Sequence, residues 1–176
     1  MERRQEMKLI AEIREQDITP NAPQVDDSEF RTREAARAVV FDSAGKVALL
    51  YVGLHSYHKL PGGGIDEGED VPTALERELM EEIGCKAEVT DEVGSTIEHR
   101  NQFELVQTSF CFIASQVGEK GQPDFTETEL REQFSIVWAD NIDHAIALLE
   151  ADAPDDYEGK FIKIRDTALL QAARLK

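Results

Sequence analysis

The stretch GGGIDEGEDVPTALERELMEEIGC, residues 62–85, combines the pattern of a helix with a dense group of carboxylates. Its acidic part contains eight Asp and Glu residues and a single base, Arg77. A charge run of this kind is usually solvated or disordered. Leu75, Leu79 and Ile83 nevertheless recur at intervals of four residues, which predicts an amphipathic helix with one apolar stripe.

The ends of this helix carry residues that favour starting and stopping a helix. Pro72 is suited to the first turn, and Asp70 or Thr73 can cap the N-terminus. Gly84 is suited to the C-terminal position that takes a left-handed conformation. We therefore expect a helix that begins just after Asp70 and ends at Gly84.

Three carboxylates lie close together on one side of the predicted helix. Glu78 and Glu82 are one turn apart with Glu81 beside them, and the apolar stripe is centred roughly 100° away. Like charges at this spacing repel each other. A Mg²⁺ ion would relieve the repulsion, because it binds carboxylate oxygens and retains waters for a phosphate substrate. Arg77 can reach Glu81 across one turn and orient it, so these residues predict a divalent-metal site.

The stretch also matches a known motif at every constrained position. The pattern is Gly, five residues, Glu, seven residues, and then Arg-Glu-apolar-x-Glu-Glu-x-Gly-apolar. The matching residues are Gly63, Glu69, Arg77, Glu78, Leu79, Glu81, Glu82, Gly84 and Cys85. In this respect the sequence resembles the Nudix box of the MutT-like hydrolases.

The resemblance implies a fold and a domain organisation. The fold is of the α/β class, a Nudix fold with an α/β/α sandwich around a mixed β-sheet. Residues 1–176 would form one such domain, with the box at 63–85 and an N-terminal strand and loop extension at 1–32.

The resemblance also implies a chemistry, the Mg²⁺-dependent hydrolysis of a nucleoside diphosphate linked to some group X, with Mn²⁺ as a possible substitute. The metal ligands would be the side chains of Glu78, Glu81 and Glu82 and the carbonyl of Gly63. One of the three carboxylates would be able to act as the base. Arg77 would orient them, and Glu69, the remaining acid of the motif, would support it.

Residues just before the box and at its start are candidates for substrate contacts. Lys59 could bind a phosphate as a point charge, with Tyr57 close by in sequence. Gly62 and Gly64 permit close backbone approach. No Gly-Lys-Ser/Thr follows the glycines, which excludes a P-loop. Two histidines in the same segment lack a third metal ligand, so we interpret His55 and His58 as loop residues with local hydrogen bonds.

The resembled family often adds a carboxylate from a distant loop. Glu132 lies six residues before Trp138 and is the preferred candidate, with Glu129 as the second. A solvated acidic loop with no catalytic role explains the same residues equally well.

The flanking sequence predicts the remaining elements. Residues 1–18 suggest a strand, with a helix as the alternative, and residues 19–32 suggest a loop. The segment 53–59 is predicted to be a loop. The other predicted strands are 34–42, 46–52, 86–93, 96–99, 103–117 and 134–139, and the predicted helices are 141–150 and 161–175. The first two of these strands are predicted to form a hairpin across a turn at 43–45.

Composition limits the partners and the location. The formal net charge of −17 disfavours nucleic acid polymers, although a small nucleotide can arrive with its own Mg²⁺. Cys85 and Cys111 are too few for a disulfide framework, and we expect both to be reduced and buried. No apolar run approaches 18 residues, so we expect a cytoplasmic protein that does not span a membrane, as a monomer or homodimer.

Two other functions compete with hydrolysis. A catalytically weak Nudix-fold protein could sense a nucleotide, although a pure binding protein has no need of every acid in the box. A simple Ca²⁺ binder is disfavoured because the EF-hand spacing is missing. Residues 94–103 lack both the Pro and the Tyr that mark two branches of the resembled family, which leans against ADP-ribose and dinucleoside polyphosphates and leaves a modified nucleoside triphosphate or a nucleotide sugar.

Overall fold

The computed structural model describes residues 7–176, whose eight strands form one mixed sheet. The first six residues of the predicted N-terminal extension lie outside this range. The strands are β1 (Leu9–Ile13), β2 (Arg31–Phe41), β3 (Val47–Val52), β4 (Tyr57–Lys59), β5 (Gly62–Gly64), β6 (Lys86–Arg100), β7 (Leu105–Val117) and β8 (Phe134–Ala139). The helices are α1 (Glu15–Ile18), α2 (Val71–Ile83), α3 (Glu127–Arg131), α4 (Ile142–Ala151) and α5 (Tyr157–Arg174), and a single 3₁₀ turn covers Asn101–Phe103.

The sheet has the order β1-β6-β7-β2-β3-β4, with β5 paired to β2 and β8 paired to β3. β1 runs parallel to β6 and β2 runs parallel to β7, whereas the other pairs are antiparallel. The central strands β2 and β3 form the predicted hairpin, and β5 brings the glycines of the box against β2.

Helices cover both faces of this sheet. Because side chains alternate along a strand, Val39 packs in one cluster with α4 and α5, while Ala38 and Val40 pack in a second cluster with α2. The sheet therefore separates two apolar layers. This is the α/β/α sandwich that the sequence predicted.

The segment 53–59, predicted to be a loop, is a loop only in its first part. Tyr57–Lys59 forms strand β4, because it pairs in register with the end of β3, with Leu50 opposite Lys59. This pairing holds Lys59 at the edge of the sheet beside the box.

The two strands predicted over 86–93 and 96–99 are a single strand, β6. It changes register at two bulges along β7, between Val89 and Asp91 and between Glu92 and Gly94. A bulge interrupts the alternation of side chains without ending the strand, which explains why the sequence pattern breaks there.

The N-terminal and C-terminal elements agree with the predictions except at their ends. Residues 9–13 form a strand rather than a helix, and the following helix, α1, is a single turn. Helix α5 begins four residues before its predicted start, because the Asp156 side chain accepts a hydrogen bond from the Gly159 N–H and caps the helix.

Cys85 and Cys111 are free and buried, as expected. Among residues 7–176, no helix has both the length and the apolarity needed to cross a bilayer.

Candidate active site

Helix α2 has the ends and the apolar stripe that the sequence predicted. The Asp70 carboxylate accepts a hydrogen bond from the Thr73 N–H at 2.9 Å, and Gly84 ends the helix in the left-handed conformation with φ 64°. Leu75, Leu79 and Ile83 are buried against the sheet. The helix is therefore fixed in rotation, with its carboxylates along the edge of the β4 and β5 strands.

Arg77 connects the loop before the helix to the carboxylates on it. Its guanidinium contacts both oxygens of Glu69, at 2.9 and 2.8 Å, and Glu78 at 2.7 Å. It also donates to the Gly64 carbonyl at 3.1 Å and lies 3.4 Å from Glu81. The hydrogen bonds from Arg77 lower the pKa of Glu69 to about 2. Arg77 thus has the orienting position that the motif implies.

Gly63 and Glu78 lie in direct contact. A Cβ atom placed on Gly63 would be 2.5 Å from the Glu78 carboxylate carbon, closer than real Cβ contacts allow. Only glycine lets this carboxylate approach the backbone of β5. The two residues predicted to share a metal are therefore adjacent.

Glu82 is the most buried acid of the box, with 1 % of its surface exposed. One carboxylate oxygen accepts the Gly62 N–H at 2.6 Å, and the other lies 3.3 Å from Lys59 Nζ. Burial raises the pKa of this carboxyl, and the charge of Lys59 and the hydrogen bond from Gly62 oppose the rise. The site therefore holds a desolvated carboxylate next to one cation.

Glu81 is more accessible, with 40 % of its side chain exposed. Its pKa is raised by burial and by the neighbouring charge of Glu78. The backbone carbonyl of Glu81, in the last turn of α2, accepts a hydrogen bond from the Asp124 N–H at 2.7 Å. This bond ties the end of α2 to the loop that leads into α3.

The two carboxylates proposed from the distant loop face different groups. The charge of Glu129 raises the pKa of both Glu81 and Glu82, so Glu129 lies on the side of the box acids. Burial raises the pKa of Glu132, and the nearby charges that also act on it include Glu158, His55 and Lys59. The charge of Glu129 is therefore coupled to the box acids themselves, and Glu132 is coupled to Lys59, the partner of Glu82.

Three residues of the segment before the box have their partners outside it. Tyr57 is 4 % exposed and packs in an apolar cluster with Val52 and Ile162, so its ring does not line the site. The predicted substrate contact of Tyr57 is therefore not supported. His58 pairs with Asp152 and His55 with Asp155, each at 3.0 Å, as expected for loop histidines.

Sequence reasoning missed two residues that hold the backbone beside the box. Arg37 Nη1 donates to the Gly62 carbonyl at 3.1 Å, and the Asp166 carboxylate accepts the Leu60 N–H at 2.8 Å. A charged residue within the apolar run of β2 was a signal for Arg37. Asp166 and Leu60 are 106 positions apart, and nothing in the sequence pattern of α5 indicates that they are partners.

The donor set fits a hard divalent cation. The box brings Glu78 and Glu82 to the glycine strand from two successive turns of α2, with Glu81 beside them, and oxygen atoms are the ligands that Mg²⁺ prefers. The close contact at Gly63 leaves room for its backbone and no side chain, which suits a carbonyl ligand. A second group, His55, Asp155 and Asp156, offers three ligand atoms within 4.8 Å of one another, outside the box.

Comparison with known proteins supports a single family. The model of the NUDIX domain matches residues 31–157. Among solved structures, the Escherichia coli ORF135 protein is 19 % identical with a TM-score of 0.58, covering 88 % of this chain and 94 % of that one. An ADP-ribose pyrophosphatase from Streptococcus suis is 22 % identical with a TM-score of 0.52, covering 81 % and 92 %. The MutT protein of Methanosarcina mazei is 17 % identical with a TM-score of 0.56, covering 84 % and 99 %.

The comparison with curated proteins finds no match. The structural likenesses are all low in identity and establish the fold alone. The family model covers well over half of the chain and includes the complete box on α2 and β5. On this basis the chain belongs to the Nudix family.

Proposed function

We propose that this Nudix hydrolase is a Mg²⁺-dependent pyrophosphohydrolase that cleaves a nucleoside diphosphate linked to a second group. The observation that carries the proposal is the contact of Gly63 with Glu78 next to the buried pair of Glu82 and Lys59. A desolvated carboxylate cluster favours a divalent cation, and a nearby ammonium favours a phosphate. The substrate classes that we propose are a modified nucleoside triphosphate or a nucleotide sugar.

The residues that would hold the metal are Glu78, Glu81, Glu82 and the Gly63 carbonyl. When bound, Mg²⁺ or Mn²⁺ neutralises charge on diphosphate oxygens and lowers the pKa of a water molecule. The network around Arg77 keeps Glu69 and Glu78 in fixed orientations, so little reorganisation is needed when substrate binds.

Two protein groups have positions suited to substrate and proton transfer. Lys59 is 12 % exposed at its side chain and can reach a phosphate oxygen while staying close to Glu82. Glu81 combines partial exposure with a raised pKa, which suits a general base, and Glu129 is the second candidate. The charges of His55 and Lys59 act on Glu132, and we assign it to a contact with the substrate beside Lys59. Gly62 and Gly64 present backbone groups beside the same site.

A substrate panel with Mg²⁺ tests the proposal. The panel contains canonical and oxidised nucleoside triphosphates, nucleotide sugars, ADP-ribose, dinucleoside polyphosphates and coenzyme A, with phosphate and nucleotide products quantified. ADP-ribose is included because one similar structure is named as an ADP-ribose pyrophosphatase. We expect one strongly preferred substrate, hydrolysed by the wild type and not by the Glu82→Gln variant.

Two results would contradict the proposal. Tight nucleotide binding without turnover would favour a sensor, the alternative function for this fold. Equal turnover by wild type and Glu82→Gln would show that the hydrolysis does not depend on the box.

A further inference from the structure

A group of charged side chains is buried between the sheet and the C-terminal helix α5. Glu98, Arg165 and Asp166 have no exposed surface, and Arg37 is 5 % exposed. Residues 158–176, which include most of α5, lie beyond the span matched by the family model. Arg165 and Asp166, the members of this group on α5, therefore lie outside the matched span.

Two residues of this group, Asp166 and Arg37, hold one short segment, 60–62, together with Glu82 of the box. Asp166 on α5 accepts the Leu60 N–H at 2.8 Å. Arg37 on β2 donates to the Gly62 carbonyl at 3.1 Å, and Glu82 on α2 accepts the Gly62 N–H at 2.6 Å. The segment is also bonded at Pro61, whose carbonyl accepts the Ala38 N–H at 3.2 Å. Four backbone groups of the segment that leads to Gly63 are thus held by partners from β2, α2 and α5.

Asp166 is itself held rigidly. Arg165 Nε donates to one oxygen of Asp166 at 2.6 Å and Nη2 donates to the other at 3.2 Å. The same guanidinium reaches Glu98 at 3.2 Å, and Glu98 is bound to Arg100 at 2.8 Å. With both oxygens engaged and no solvent access, the carboxylate has one orientation.

The backbone at Gly62 has a conformation and a crowded environment that only glycine can adopt. Its φ of 132° belongs to the region that favours glycine, and a Cβ atom there would lie 2.1 Å from the Ala36 carbonyl oxygen. Gly63, the next residue, already contacts Glu78. A small shift of segment 60–62 would therefore move the Gly63 carbonyl relative to the carboxylates of α2.

Stability alone does not account for this arrangement. Buried ion pairs often contribute less to stability than apolar side chains of similar volume, since both charges must be desolvated. Apolar residues fill the rest of the interface between α5 and the sheet. The charges add directed hydrogen bonds to the backbone, which apolar residues cannot provide.

We propose that Asp166 on α5, together with Arg37, is a positioning residue that sets the place of the Gly63 carbonyl and thereby the affinity of the box for its metal. The inference rests on the proposed function, because it assigns a role at the same metal site. Groups that orient metal ligands typically change metal affinity or activity by roughly 10- to 100-fold when mutated.

The test compares Asp166→Asn with Leu170→Ala, a buried apolar residue one turn further along α5. Three N–H donors surround Asp166, so an amide leaves at least one of them without an acceptor. The Leu170→Ala cavity lowers stability without touching a hydrogen bond of segment 60–62. Mn²⁺ affinity is measured by calorimetry in the intact protein, at a temperature at which circular dichroism shows all variants folded. The thermal midpoints are recorded alongside.

We expect Mn²⁺ affinity to fall by roughly 10-fold or more in Asp166→Asn and to stay at the wild-type value in Leu170→Ala. We also expect kcat to fall more than KM rises. If Asp166→Asn does not fold, Arg37→Lys replaces it, because Lys keeps the charge but cannot bond both Gly62 and Ser109 as Arg37 does. Mn²⁺ affinity is expected to fall in Arg37→Lys as well.

Equal Mn²⁺ affinities in Asp166→Asn (or in Arg37→Lys, if that variant replaces it) and in Leu170→Ala would overturn the inference while leaving the proposed function intact. A wild-type protein that does not bind Mn²⁺ would overturn both. Wild-type binding that depends on Glu82 but not on Asp166 separates the two failures.

Discussion

Lys59 and Glu82 form a pair in which the ammonium lies 3.3 Å from a carboxylate with almost no exposed surface. Burial disfavours the charged form of Glu82, and Lys59 favours it. The pair therefore links the protonation of the box to a residue that precedes it by 23 positions. Removing Glu82 and removing Lys59 should therefore have different effects on the site.

Replacing Glu82 with Gln should lower turnover by about 10²-fold or more, because a neutral amide is a poor ligand for a divalent cation. The fold should be retained, since Gln can still accept the Gly62 N–H. Steady-state kinetics with the preferred substrate measure the effect. Glu76→Gln is the matched control, because Glu76 is exposed on the same helix; comparable losses in both variants would rule out a specific role for Glu82.

Replacing Lys59 with Met should move the acidic limb of the kcat/KM profile to higher pH, by roughly one unit. Lys59 lowers the pKa of Glu82, so its removal raises that pKa, and the ionised carboxylate then forms only at higher pH. KM should also rise if Lys59 contacts a phosphate. Lys120→Met is the control, since Lys120 pairs with Asp42 and lies over Trp138. An unshifted profile in Lys59→Met would contradict the coupling.

Replacing Gly63 with Ala should abolish turnover, because the added Cβ would have to displace the Glu78 carboxylate. Gly45→Ala is a useful comparison. Gly45 has φ 79° with no atom near its Cβ position, so Ala there should cost about 1 kcal/mol of stability and leave activity unchanged. Urea unfolding and kinetics on both variants separate the two effects. Full activity in Gly63→Ala would exclude this geometry.

The stability contributed by the pair of Glu69 and Arg77 should depend on pH. The folded-state pKa of Glu69, about 2, lies below its ordinary value of 4.5, so the contribution is fully present above pH 4.5. It should be lost as the pH falls through about 2. The measurement is the difference in unfolding free energy between wild type and Glu69→Gln as a function of pH. If the difference in unfolding free energy between wild type and Glu69→Gln grew as the pH fell, it would contradict the lowered pKa of Glu69.

Glu129→Gln and Glu132→Gln form a matched pair that identifies the additional carboxylate. We expect Glu129→Gln to reduce kcat, because the charge of Glu129 acts on Glu81 and Glu82. Glu132→Gln should change KM more than kcat, because Glu132 faces Lys59 and His55. The reverse pattern would restore the preference for Glu132 that the sequence alone suggested.

The parts of the fold that local sequence determines were predictable. Helix α2 was predicted with both of its ends, because the capping residue Asp70, the apolar stripe and Gly84 all lie within 15 residues. The hairpin of β2 and β3 was predicted for the same reason. The sandwich followed from the motif and is confirmed by the two apolar layers.

Features that depend on distant parts of the chain were not predictable. Strand β4 exists because β3 pairs with it, and the continuity of β6 depends on bulges along β7. The burial of Tyr57 depends on Ile162 from α5. In the site, the positions of the box acids follow from helical spacing, whereas the partners Arg37 and Asp166 come from elements whose packing no local pattern specifies.

The hydrogen bond from the Asp124 N–H to the Glu81 carbonyl has a consequence for how this chain can vary in length. Surface loops usually tolerate insertions and deletions. Here the Gly121 N–H also bonds the Gly84 carbonyl, so the segment 121–124 closes the end of α2. Insertions should be tolerated around Gly118, where an added Cβ atom would meet no other atom, and not a few residues later. Homologues and engineered variants should therefore differ in loop length before residue 121 and keep a constant spacing from there to Glu129.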